Sequence, residues 1–222
     1  MFIPEIEKKT KREVEVFQSK QLTILLKYLE ENSVFYRDHF RRNGIDTEKI
    51  KSINDLITVP PTEKADLQER AHDFICVKKD RIIDYLTTSG TSGEPVIYAM
   101  TENDMKRLAY NEYLGFSCAD CTKKEVFQLM TTIDRRFMAG MAYFLGSRRL
   151  RSAMIRVGNG IPELQWDTIN RFSPTALIAV PSFLINIIDY AEKNGIDYHS
   201  SSVNKAVCIG DSLRNPDFTF NT

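Results

Sequence analysis

From Thr88 to Pro95 the chain reads Thr-Ser-Gly-Thr-Ser-Gly-Glu-Pro. Every residue from Thr88 to Gly93 bears a hydroxyl or is glycine. Gly90 and Gly93 can take positive φ without a Cβ penalty, so successive amides can turn toward one oxyanion. Thr88, Ser89, Thr91 and Ser92 add hydroxyl donors. The chemistry such a run suits is the binding of phosphate. An unliganded Ser/Gly-rich turn has the same composition, so composition alone leaves both readings open.

Two familiar alternatives do not fit. There is no G-x-x-x-x-G-K-[ST], and the loop runs on into Val96-Ile97-Tyr98, a strand rather than a helix. There is no G-x-S-x-G nucleophile elbow either. Cys118-Ala-Asp-Cys121 is a lone C-x-x-C with only His72 and Cys76 near it in spacing, a weak zinc signal, and no metal site is expected. Arg135 and Arg136 beside Asp134 are candidate cations for a binding pocket, and the pattern suits a solvated helix start better.

The elements that must position these residues follow from periodicity. Leu22, Leu25, Leu26 and Leu29, with Phe17 a turn earlier, predict a helix over 13–31. Ser33 caps a second helix that stops at Gly44. Ser52 and Asp55 form a capping box, and Thr62, after Pro60-Pro61, caps a short helix to about Ala71. Ile82 to Leu86 and Val96 to Met100 are the strands of the phosphate hairpin. Thr101 opens a helix to about Phe116.

Thereafter apolar runs alternate with helical patterns. Strands are predicted at 125–131, 153–157, 176–180 and 206–209, with helices at 138–145, at 163–171 and from a Ser182 cap to Gly195. That rhythm predicts an α/β fold: a mostly parallel sheet flanked by helices, a helical N-terminal lead over 1–80 and an α/β region over 81–222. Ligands of such sheets gather at the carboxyl ends of strands. Those ends carry Gly158-Asn159-Gly160, Pro181-Ser182 and Gly210-Asp211-Ser212. Small residues at strand ends are also ordinary turn chemistry.

Bulk composition excludes some classes. The 222 residues include 30 Lys+Arg and 30 Asp+Glu, so net charge gives no case for nucleic acid or an anionic membrane. No run of 18 apolar residues occurs. The charged start lacks a signal-peptide core, and the expected location is the cytoplasm.

Thr88-Ser89-Gly90-Thr91-Ser92-Gly93-Glu94-Pro95 resembles the phosphate-binding signature of the adenylate-forming, acyl-CoA synthetase and ligase superfamily, in its phenylacetate-CoA ligase-like branch. Arg156 to Gly160, Val180 to Phe183 and Ile209 to Arg214 look like later landmarks of that branch, in order. The resemblance implies that a carboxylate attacks the α-phosphorus of ATP, that pyrophosphate leaves an acyl-adenylate, and that a thiol, usually of coenzyme A, takes the acyl group. It implies ATP, Mg2+ and coenzyme A as cofactors, and a small carboxylic acid as substrate.

By the same resemblance, Thr88, Ser89, Gly90, Thr91, Ser92 and Gly93 hold phosphate, and Gly210, Asp211 and Ser212 lie against adenine. Ala139, Gly140, Tyr143, Pro181 and Ser182 line the acid pocket. The family's catalytic Lys and Thr-Glu motif have no counterpart before Thr222, so the chain reads as the incomplete N-terminal domain of such an enzyme, inactive alone. The expected protein partner is a second copy or the C-terminal part of the ligase. The alternative is a non-catalytic remnant that binds nucleotide or a partner.

Overall fold

The computed structural model describes residues 4–88 and 94–212. The chain forms two compact units that divide between Glu102 and Asn103. The first unit includes the hairpin strands, and within it the Gln68 side-chain amide donates to the Glu94 carbonyl.

In the first unit, helix α1 (Lys11–Asn32) opens on a capping box between Thr10 and Glu13. Its inward face is Leu22 and Leu26, which pack with Phe40 and Ile50, while Phe17 and Leu25 remain exposed. Helix α2 (Val34–Arg42) is capped by Ser33, as the sequence predicts. His39 is a packing residue, stacked on Phe35 at 5.5 Å and hydrogen-bonded to the Pro60 carbonyl at 2.9 Å. Helix α3 (Lys64–Glu69) begins one residue later than Thr62 would place it, because a Glu63–Asp66 box supplies the cap. The Thr62 hydroxyl is instead turned to Tyr36, 3.4 Å away. Strands β1 (Ile82–Thr87) and β2 (Ile97–Thr101) pair antiparallel from Thr87↔Ile97 to Ile82↔Thr101.

The second unit follows α4 (Glu102–Cys118) with strands β3 (Val126–Leu129), β4 (Ala153–Arg156), β5 (Ala176–Ala179) and β6 (Lys205–Cys208). Between them lie α5 (Met138–Leu150), α6 (Pro162–Phe172) and α7 (Pro181–Lys193). The four strands are all parallel, in the order β4-β3-β5-β6. Alternation along the strands sorts the core into two faces. Phe127, Leu129, Ala176 and Ile178 pack against Phe116 of α4 and Tyr143 and Leu150 of α5. Met130, Leu177 and Ala179 pack against Ile187, Phe183 and Leu184 of α7. Trp166 of α6 joins that second face by donating to the Ile187 carbonyl at 2.7 Å.

The amino ends of the strands are tied by one polar knot. Glu125 accepts from the Lys205 ammonium at 2.7 Å and from the Thr175 hydroxyl at 2.6 Å. Burial pushes its carboxyl up, but those two donors outweigh it and hold it below the usual carboxylate range.

Close helix packing explains two glycines. A Cβ on Gly140 would lie 1.9 Å from the Thr132 carbonyl oxygen, and one on Gly146 would lie 2.4 Å from Glu112 Cβ. Gly146→Ala therefore overpacks the α4–α5 contact and is expected to cost about 2 kcal/mol in urea unfolding. Glu112 is half-buried, and burial raises its carboxyl pKa. Its stabilising share is present below the unfolded pKa and lost as pH rises through the folded one. Glu112→Gln is thus expected to raise the thermal midpoint at about pH 8 and to change it little at about pH 4, near the ordinary carboxylate pKa.

Candidate functional site

The strand order creates a gap at one edge of the sheet. The chain leaves β3 through α5 to reach β4 on one side, and leaves β5 through α7 to reach β6 on the other. Right-handed crossovers send these helices to opposite faces, so a crevice opens beyond the carboxyl ends of β3 and β5. A cavity of about 570 Å³ occupies that position. After β3 it is lined by Met130, Thr131, Thr132 and Phe137, and after β4 by Asn159 and Gly160. Val180, Ser182, Phe183 and Asn186 line it after β5, and Ile209 and Gly210 after β6.

Local chemistry fixes each wall. Pro181, not Ser182, opens α7: it takes the first helical position, where a missing N–H costs nothing. That corrects the predicted Ser182 cap, and it frees the Ser182 hydroxyl to donate to Asp211 at 2.6 Å. The bond joins the turn after β5 to the turn after β6. Gly210 there has φ +82°, a backbone that a side chain would strain. The Ile209 amide donates to the Ala179 carbonyl, so the turn continues the β5–β6 ladder before it leaves the sheet.

The β4 wall is held from beneath by two glutamines, both about 1% exposed or less. Gln128 Nε2 donates to the Gln165 Oε1 at 2.8 Å and to the Gln165 carbonyl at 3.2 Å. Gln165 Nε2 donates in turn to the carbonyls of Gly158 at 3.0 Å and Gly160 at 3.4 Å. Gly158 and Gly160 have φ of +81° and +97°, so the turn folds back over α6 and offers its carbonyls to this relay. A central strand polar residue thereby sets the position of a cavity wall.

The wall after β3 is shaped by Gly140, whose lack of a Cβ lets the Thr132 carbonyl reach the first turn of α5. Arg135 and Arg136 are exposed with φ of 58° and 61°, in the loop that leads to Phe137. They precede α5 rather than start it.

Of the residues the sequence proposed for adenine, Gly210 lines the cavity, and Asp211 is bonded to Ser182 beside it. Ser212 follows Asp211 and is exposed. Of those proposed for the acid, Ser182 lines the cavity. Pro181 is buried, and Ala139 and Gly140 lie in the first turn of α5. Tyr143 faces the core beside Phe116, where burial pushes its hydroxyl up to about 12. Ser89, Gly90, Thr91, Ser92 and Gly93 lie outside the described residues. Thr88 lies at the hairpin base, where its amide donates to the Val96 carbonyl at 3.0 Å and its hydroxyl accepts from the Val96 amide at 2.9 Å. Its hydroxyl proton is left to donate elsewhere. Cys121 is a buried core thiol, raised in pKa by burial, and Cys118 is exposed.

Sequence reasoning missed Met130, Thr131, Thr132 and Asn186. The polar Gln128, Thr131 and Thr132 within or beside an apolar strand were the signal available.

No family model matches the chain. The chain is 26% identical over 182 residues to the phenylacetate-coenzyme A ligase of Escherichia coli (strain K12), covering 82% of this chain and 41% of that protein. It is 26% identical over 209 residues to the phenylacetate-coenzyme A ligase of Thermus thermophilus, covering 93% of this chain and 46% of that protein. The chain thus spans less than half the length of these curated relatives. A crystal structure of 2-hydroxyisobutyryl-CoA ligase, in an open conformation with 2-HIB-AMP and CoA, superposes with a TM-score of 0.85 at 20% identity. That match covers 98% of this chain and 54% of the other.

The parallel sheet flanked by helices thus shares its fold with that ligase structure. In sequence the chain is similar to phenylacetate-coenzyme A ligases, the branch that its Thr88–Pro95 run resembles.

Gln165→Leu tests how the cavity wall is held. It removes two donors from the glycine turn and an acceptor from buried Gln128, and is expected to cost about 2–3 kcal/mol in urea unfolding. Faster amide exchange at residues 158–160 should accompany it.

Proposed function

We propose that this chain supplies the nucleotide- and acid-binding residues of an ATP-dependent ligase that converts a carboxylic acid to an acyl-adenylate and then to a coenzyme A thioester. The observation that carries the reading is the rim cavity, because its walls come from the three strand-end turns that resemble the family's landmarks. The names of the relatives support the reaction class.

The residues divide the work. A carboxylate is already ionised near neutral pH, so the first half-reaction needs no general base. The obstacle is charge, an anion approaching a polyanion. By the sequence resemblance, the run from Thr88 to Gly93 would answer it with hydroxyl and amide donors to the departing phosphates. Gly210 and the Ser182-bonded Asp211 carry the adenine side, and the cavity takes the acid. Met130, Phe137, Val180, Phe183 and Ile209 give that cavity apolar walls suited to an aryl or branched acyl group. Fixing the acid and nucleotide in one orientation supplies much of the remaining rate.

Magnesium belongs to the proposal as a companion of the ATP phosphates. Among the described residues no group of three or more His, Cys, Asp or Glu could hold a metal alone. Hydroxyls and phosphate oxygens are the hard donors magnesium prefers. Among those residues, too, no helix is long and apolar enough to cross a membrane.

Calorimetric titration tests the reading. Magnesium-ATP and phenylacetate are each expected to bind saturably. Gly90→Val is expected to weaken ATP at least about tenfold by blocking backbone approach to phosphate, while leaving the acid unchanged. Unaltered ATP affinity in that variant would remove the hairpin from the site.

A further inference from the structure

We infer that the acid this cavity takes carries a hydroxyl, or a similar hydrogen-bonding group, besides its carboxylate, and that Thr131 recognises it. The inference rests on the ligase reading above and names its substrate class.

Thr131 is only 5% exposed, yet its Oγ1 has no hydrogen-bond partner in the described structure. A buried hydroxyl without a partner is a standing cost that folding alone does not repay. Thr131 lines the rim cavity and also, with Thr132, a second cleft of about 250 Å³. The other polar groups of the cavity are engaged or solvated. The Ser182 hydroxyl is bonded to Asp211, and the Thr132 hydroxyl to Asp134. Asn159 and Asn186 are exposed at the mouth. Among the described residues that line the cavity, Thr131 is therefore the buried hydroxyl without a partner.

The second cleft extends the polar character on that side. It adds Asp134 and Arg156, the latter held over the Phe144 ring at 5.4 Å. A hydrocarbon acid would leave Thr131 unpaired and turn apolar surface toward these charges. A hydroxylated acid of the same size would pair the threonine and direct its polar substituent to the cleft. Sites that hydrogen-bond a substrate hydroxyl discriminate strongly against the analogue lacking it, because their own buried group then goes unpaired.

The test is calorimetric titration of the 222-residue chain and of Thr131→Val with matched acids. The acids are phenylacetate, its ortho-, meta- and para-hydroxylated forms, isobutyrate and 2-hydroxyisobutyrate. At least one hydroxylated acid is expected to bind about tenfold or more tighter than its parent. Thr131→Val should abolish that preference while binding the parent acid as well or better. Its thermal midpoint should be unchanged or raised, since the hydroxyl it removes has no partner.

Equal binding of parent and hydroxylated acids would overturn the inference and leave the ligase reading intact. A preference that survives Thr131→Val would overturn Thr131 as its source. A lowered thermal midpoint would show that the hydroxyl has a structural partner, with the same consequence. Binding of none of the acids would sink both readings.

Discussion

Two neighbouring parallel strands whose following helices depart to opposite faces cannot both have their carboxyl ends covered. This constraint at β3 and β5 governs the second unit. The helices that bury Phe127 and Ile178 on one face and Leu177 and Ala179 on the other are the same helices that diverge at the rim. Burying the core and opening the cavity are one packing solution, with no separate device needed to make a site.

Three features help to hold the walls of this rim. The Gln128–Gln165 relay fixes the β4 turn, the Ser182–Asp211 bond joins the β5 and β6 turns, and the absent Cβ of Gly140 settles the β3 loop against α5. Two of these are polar contacts, and the relay is almost wholly buried, where a satisfied hydrogen bond specifies geometry more tightly than apolar contact. Among the described residues Gln128 Oε1 nonetheless has no partner. The relay thus concedes some stability to hold a turn in place.

Much of this was legible in the sequence, for physical reasons. All four residues of β5 are buried, so Ala176 to Ala179 had to be an apolar run, and it was read as a strand. The lateral order of the strands was not legible, since periodicity along a strand says nothing about its neighbours. Helix starts went astray where proline or a second cap intervened: Thr62 yielded to Glu63, and Ser182 to Pro181. The packing role of Gly140 depends on a carbonyl from another loop, which no local pattern reveals. Gln128 and Thr131 stood inside a predicted apolar strand, and their polarity was the clue to the relay and to the cavity's uncommitted hydroxyl.

The central claim is that the crevice between the diverging strands holds an acyl-adenylate. Hydrogen exchange of the chain with and without a non-hydrolysable acyl-sulfamoyl adenosine tests it most directly. The account predicts ligand-dependent protection in segments 130–137, 158–160, 180–186 and 209–212, with the amino-end knot at Glu125 and Lys205 unchanged. Protection confined to other surfaces, from a ligand shown to bind, would contradict it.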